Sequence, residues 1–537
     1  MPFSNKPSFF YSGLPQAGAF YLIPLLLSII ISSFSLPAFA TPLSNAVQTN
    51  NVEAVLQLGD DPDGTTALMW AVHYNNLELI ETLIETGVDI NASNDYGSSA
   101  MLETMLVGNN RILALLLSKG TDPEWTNPEG ETALMIAARS GNLEAAATLL
   151  EHGANINARE QWGEQSALMW ASAQHQPEMV KLLIQHGAEV DAKSKTRLWN
   201  RRITSEPRPK DMNKGGFTPL LYAARQGCLE CARHLVEAGA NLNITDPDRV
   251  TALSLALINQ HFDLAAYLIE AGADLNKWDL FGRAPLYLAV DMNTLPASGR
   301  GDIPVEDTLG GLDIVTMLLE RGANPNAQLK MRPPYRQAVF DRRADHILGN
   351  GATPLMRAAK ASDDEVIELL LEYGALVDLP NWMGITPLMV AAGLGRTENA
   401  TRGASQTQQQ SIQTLQLLLA AGADINVQAS SYKGQWASLE DERPFFNDIP
   451  WDGQTALHGA AKLGWTEVVE FLVDQGAAMQ IPDINNKTAL DLAYGRYAPA
   501  FLMAPPEPLF DTIAKLEQLC QSSDNCQLPT DVINRSE

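Results

Sequence analysis

The chain has 537 residues, 45% hydrophobic and 19% charged, with 37 basic against 63 acidic side chains and a net charge of −26. That composition belongs to a folded chain, and its acidity argues against general nucleic-acid binding, which needs a basic face. A fixed internal period replaces the usual expectation of several domains with one stacked array.

Residues 1–40 read as a secretory signal peptide. Lys6 precedes an apolar run from Ala19 to Leu36, and Ala38 and Ala40 satisfy the small-residue rule for a cut after Ala40. The run is near the lower length limit of a membrane span, so an uncleaved anchor is the alternative. Cleavage removes Lys6 alone and takes the net charge to −27. The expected location is the periplasm or outside the cell, with no stable membrane insertion after cleavage.

Residues 41–61 have the apolar spacing of one capping helix, which a solenoid needs to shield its first repeat. From 62 to 494 a single module recurs. Its second half ends on Gly87, Gly120, Gly153, Gly187, Gly239, Gly272, Gly322, Gly374, Gly422 and Gly476, at intervals of 33, 33, 34, 52, 33, 50, 52, 48 and 54. Five copies therefore carry insertions.

Each module starts on Thr-Ala/Pro-Leu, as at Thr132-Ala133-Leu134 and Thr353-Pro354-Leu355, where Thr can cap a helix and Pro is tolerated in its first turn. A small pair follows (Ala137-Ala138, Ala391-Ala392), then a turn, a second amphipathic helix and the glycine. Measured from the glycines, three insertions enlarge the connecting fingers (about 192–214, 327–349 and 427–451), and two separate the paired helices (292–309 and 393–410). Residues 495–537 supply a closing helix near 508–516 and a tail.

Helix, turn, helix and finger at period 33 resemble the ankyrin repeat, most closely at Asp452-Gly453-Gln454-Thr455-Ala456-Leu457-His458 and Gly476-Ala477. The resemblance implies an all-α ankyrin-repeat solenoid of about eleven helix-turn-helix repeats with finger loops, a scaffold that recognises partners and is not an enzyme. The family's His after Thr-Pro-Leu is present only as His458; Met69, Met135, Met169, Met356 and Met389 replace it. Packing is expected to take over the role of its hydrogen bonds between repeats.

Two fingers are basic on this acidic body. Residues 192–214 hold eight basic against two acidic side chains, and 327–349 hold five against two. They should lie about 30 Å apart on one edge, given helix spacings of 8–10 Å. Either the arginines dock on the array's own acidic surface, or they meet an anionic protein through bidentate contacts. Tryptophans concentrate in fingers, and aromatic and Arg side chains are enriched at binding hot spots. The expected contacts are Trp199, Arg201, Arg202, Trp278, Arg336, Arg342, Arg343 and Trp382, with the concave face as a second surface. The partner is another protein with an anionic surface, in the periplasm or, for a secreted effector, in a host.

No residue pattern marks catalysis, a metal site or a cofactor: there is no His-Glu-x-x-His, no Gly-x-Ser-x-Gly and no phosphate-binding loop. Four cysteines remain in the mature chain. Cys520 and Cys526 flank a polar loop and are expected to pair; Cys228 and Cys231 read as a core-facing residue or a local bridge, with a thiol-redox or hydrolytic role as the rival. Asn91, Asn243 and Asn486 match glycosylation sequons but fall at ordinary finger positions.

Overall fold

The computed structural model describes residues 41–197, 214–294, 307–331, 347–395, 406–430, 451–495 and 508–522. These hold 24 helices and two isolated β-bridges, grouped into two compact units, 1–128 and 129–537. Within each unit the helices pair and stack. No described helix is long and apolar enough to cross a membrane.

In the first unit the segment expected as one capping helix is a pair, Pro42–Gln48 and Val52–Leu58. Asn50 takes φ 53°, which breaks the helix, and Asn51 restarts it by accepting the amide of Ala54. Leu43, Val47 and Val55 enter one core with Leu68, Val72, Leu79, Leu83, Ile112 and Leu116. Burying each such side chain contributes about 1.5–3 kcal/mol.

The expected helix starts are present. Thr66 in the first unit, and Thr132, Thr218, Thr251, Thr353 and Thr386 in the second, each accept the amide three residues on, and Ser99 and Ser166 do the same at starts outside the Thr pattern. Each such cap is worth about 1 kcal/mol. Asn76, Asn109 and Asn142 cap second helices in the same way. The terminating glycines adopt positive φ, for instance 89° at Gly153, where a Cβ would meet nothing within 4 Å. Conformation alone selects glycine there. Gly459 is selected by crowding: a Cβ would sit 2.7 Å from the Leu394 nitrogen of the neighbouring repeat.

The five methionines in the His slot are 0–2% exposed. His458 makes the bonds its sequence position implies. Its Nδ1 accepts the Thr455 amide at 3.1 Å, and its Nε2 lies 3.2 Å from the Lys487 carbonyl of the next repeat. That pattern places the proton on Nε2, and burial lowers the imidazole pKa.

Packing does not replace the missing histidines alone. A ladder of amides at the finger base joins one repeat to the next: Asn326 donates to the Gly374 carbonyl at 3.0 Å and accepts the Leu376 amide at 2.8 Å. Asn91, Asn157, Asn276 and Asn426 repeat both bonds, and Asn243 accepts the Asp274 amide. The sequon residues Asn91 and Asn243 are thus rungs of this ladder. At Asp191 and Asp378 a carboxylate stands in the same place and can only accept, from the amides of Asn241 and Asp424.

Candidate interaction surface

Fingers of the second unit are zipped together by backbone bonds such as Gln161 to Glu129, Lys195 to Gly163, Leu280 to Asp248, Lys330 to Phe281 and Ile484 to Asp452. Each finger insertion leaves and re-enters through a hydrogen-bonded stem. In the first, Ser194 donates to Phe217, Arg197 to Lys214 and Gly216 to Lys195. In the second, Leu329 donates to Ala352 and Gly351 to Leu329; in the third, Ala429 donates to Gln454 and Gly453 to Ala429. Register is therefore the same on both sides of each insertion.

The described basic residues of the two basic fingers are all engaged at these stems. Lys193 donates to the Thr245 carbonyl at 3.0 Å, Lys195 pairs with Glu164 at 3.0 Å, and Lys214 pairs with Asp248 at 2.5 Å. Arg197 lies over the Trp162 ring, 4.2 Å from its centroid, and Lys330 lies 3.2 Å from that of Trp278. For these five side chains, docking on the array's own surface is the arrangement found. The exposed ion pairs add at most about 1 kcal/mol each, and the cation–π contacts about as much.

Of the expected contact residues, Trp278 and Trp382 are described. Arg249 also lies over the Trp278 ring, at 4.0 Å, so two basic side chains already use it. The Trp382 indole packs against Gly351, where a Cβ would lie 2.5 Å from its Cδ1, and 41% of the residue is exposed. Trp199, Arg201, Arg202, Arg336, Arg342 and Arg343 lie outside the described residues.

The first helices offer less free surface than expected. In the second unit the position after the Met slot is buried at Ile136, Tyr222, Leu255, Leu288, Arg357, Val390 and Leu492. Arg357 is paired with Asp291 at 2.6 Å, with both side chains at most 2% exposed. Ile347 accepts a hydrogen bond from Asn381 and is pressed against Gly395, where a Cβ would collide with its Cδ1. It is thereby held between Asn381 and Gly395, the residues that flank the helix Pro387–Ala391 in sequence.

The turn insertions supply something the sequence pattern did not indicate. The helix Phe262–Glu270 has no side-chain cap of its own, because His261 stands at the N-cap. Asp307, from the 292–309 insertion, accepts the Phe262 amide at 2.8 Å, while Asp263 accepts the amides of Thr308 and Leu309 at 3.0 Å. Likewise Trp465 cannot cap the helix Thr466–Asp474, and Gln408 from the 393–410 insertion accepts the Glu467 amide at 3.0 Å. A His or Trp where Asn is usual was the visible signal of a cap supplied from elsewhere.

Cys228 and Cys231 are bridged, with Cα atoms 5.2 Å apart and both side chains 0% exposed. Cys228 takes the N-cap place, its Sγ accepting the Cys231 amide at 3.2 Å. Cys520 is disulfide-bonded, and its expected partner Cys526 lies outside the described residues. Among the described residues no group of His, Cys, Asp or Glu is arranged to hold a metal ion.

A sequence profile for ankyrin repeats in three copies matches residues 21–94, 100–194, 239–329, 308–429 and 403–502, and a profile for the single ankyrin repeat matches 215–247. A putative palmitoyltransferase, ZDHHC13 of Danio rerio, is 26% identical over 283 residues, covering 53% of this chain and 33% of the relative. The human transient receptor potential cation channel subfamily A member 1 is 28% identical over 327 residues, 52% of this chain and 25% of the relative. The chain thus spans a third or less of the curated relatives it matches. The crystal structure of an ankyrin repeat domain from Acinetobacter baumannii AYE aligns with TM-score 0.34 and 24% identity, over 38% of this chain and 98% of that one. With profile matches running through most of its length and helix pairs closed by left-handed glycines, the chain belongs to the ankyrin-repeat family.

Proposed function

We propose that the protein is a non-enzymatic scaffold, exported to the periplasm, that binds an anionic surface of another protein through its two basic fingers. Ankyrin repeats generally mediate protein–protein interaction. The observation that carries the finer reading is the concentration of charge, thirteen basic against four acidic residues in the two fingers, of which Lys193, Lys195, Arg197, Lys214 and Lys330 at the stems bind the array itself. The other eight basic residues of the two fingers, Arg201, Arg202, Arg336, Arg342 and Arg343 among them, fall within the inserted lengths. Burial of Ile136, Tyr222, Leu255, Arg357 and Val390 on the first helices moves the expected contact from the concave face toward the fingers.

Burial of Cys228 and Cys231, with Cys228 serving as a helix cap, supports a structural bridge over a redox role, since a reactive cysteine needs exposure. A periplasmic pull-down with the intact chain and with Arg201, Arg202, Arg342 and Arg343 changed to Glu tests the reading. Partners should be lost from the variant and weakened by salt, because exposed charges are screened beyond about 8 Å at physiological ionic strength. An unchanged set of partners refutes the basic-finger interface.

A further inference from the structure

Thr41 holds the amino-terminal end of the first unit to its core. Its Oγ1 accepts the Ser44 amide at 3.0 Å, capping the helix Pro42–Gln48, and donates to Asp61 Oδ2 at 2.9 Å. The same carboxylate oxygen receives the Trp70 indole N–H at 2.8 Å, and Asp61 as a whole is only 9% exposed. Leu43 and Val47 of the capped helix, 2% and 1% exposed, fix its position in the core. Asp61 is thus a buried carboxylate with two side-chain donors. Both donors are neutral, so no opposite charge is bonded to that carboxylate among the described contacts.

The backbone nitrogen of Thr41 is three covalent bonds from its Oγ1, which keeps it within about 6 Å of the Asp61 carboxylate, the range in which opposite charges stabilise each other. In the chain as translated that nitrogen is a neutral amide joined to Ala40. We propose that cleavage between Ala40 and Thr41 completes the amino-terminal cap, by creating at Thr41 an α-ammonium that pairs with the Asp61 carboxylate.

The step is a peptide hydrolysis: water adds across the Ala40–Thr41 amide, the acyl carbon leaves as the Ala40 carboxylate, and the Thr41 nitrogen takes up the protons to become an ammonium. The partial positive charge at a helix start opposes an ammonium there, so Asp61 converts what is otherwise a weakened helix end into an anchored one. Cutting later removes the Thr41 cap; cutting earlier places the ammonium about one residue, 3.8 Å, further along the chain.

This inference rests on the export reading, and the experiment separates the two. The amino-terminal peptide of the protein from a periplasmic fraction is sequenced by mass spectrometry. The α-amine, reductively methylated with a 13C label, is then titrated by NMR in the mature chain, in Asp61→Asn, and in a chain with one extra glycine before Thr41. Expected are a start at Thr41 and an amine that holds its proton about tenfold more tightly in the mature chain than in either variant. The side-chain carbonyl introduced by Asp61→Asn still accepts from the Trp70 indole, so Trp70 fluorescence reports that this variant remains folded. A processed chain starting elsewhere overturns the inference while leaving export intact. A start at Thr41 with the same titration in all three chains overturns the ion pair. A periplasmic chain still carrying residues 1–40 overturns the inference and leaves export intact, whereas a cytoplasmic chain still carrying them overturns both readings.

Discussion

Changing Asp378 to asparagine should stabilise the joint between the repeats that end on Gly374 and Gly422. Asp378 Oδ2 accepts the Asp424 amide at 3.0 Å, but its Oδ1 is buried without a hydrogen-bond partner. At the equivalent rung, the Asn326 and Asn426 side-chain amides donate to the next glycine carbonyl at 3.0 and 3.3 Å. Asparagine at 378 keeps the accepted bond and presents a donor where the carboxylate presents a second acceptor. One net hydrogen bond and relief of an unsatisfied buried atom are together worth about 1–2 kcal/mol. Burial raises the Asp378 pKa, with the Asp424 charge adding to it. The penalty is therefore absent below the unfolded pKa of about 3.9 and fully present once pH exceeds the folded value. The advantage of Asp378→Asn should accordingly be small in acid and grow toward neutral pH. Hydrogen exchange is the suitable assay, because repeat arrays can unfold locally and a single global midpoint is ambiguous. At neutral pH the Asp424 amide should exchange about 5–30 times more slowly in the variant, as 1–2 kcal/mol requires. Equal or faster exchange would refute the ladder as a source of cohesion between repeats.

Asp246 is the strongest pH lever, its pKa raised to about 6 by burial, with the Asp248 and Asp279 charges adding to the effect. A raised folded pKa means that stability falls as pH rises from about 4 to 6; Asp246→Asn, which retains an acceptor for the Asp248 and Val250 amides, should flatten that slope in denaturant titrations, and an unchanged slope refutes the assignment. Asp307→Ala should cost about 1 kcal/mol by uncapping the helix Phe262–Glu270, while Asp307→Asn should not; equal effects of the two, read by exchange at the Phe262 amide, would sink the idea of a cap supplied by the insertion. The Cys228–Cys231 bridge closes a short loop and should add about 2 kcal/mol. In the native protein it should resist a thiol reductant and become alkylatable only in denaturant; rapid native labelling of both cysteines would restore the redox reading.

The parts of this protein legible in its sequence are those internal to one repeat. Thr132 and Gly153 announce cap and terminator by residue type and spacing and each does that work, while Asn142, legible as part of a turn, also caps the second helix. What escaped the sequence lies between repeats. The Phe262 amide finds Asp307 across 45 residues and the Glu467 amide finds Gln408 across 59, so no local pattern pairs them. The sequence likewise offered Trp278 to a partner, because an exposed-looking finger Trp does not reveal that Lys330 will lie over its ring. Asn91 and Asn243 were visible, but as sequons; their use as rungs depends on a glycine carbonyl or an amide in the following repeat.

The stems give the finger insertions an unusual freedom. Because Thr196 faces Gly215 in an antiparallel bridge and Arg197 bonds to Lys214, the two ends of the first insertion are already brought together by the finger. A longer insert then adds only loop-closure entropy, about 0.6 kcal/mol for each doubling of length. Lengthening, shortening or exchanging it leaves the register of every later repeat unchanged. The fold thereby separates the inheritance of shape from that of loop sequence: a new sequence can be inserted between 197 and 214 while the array around it stays as it was.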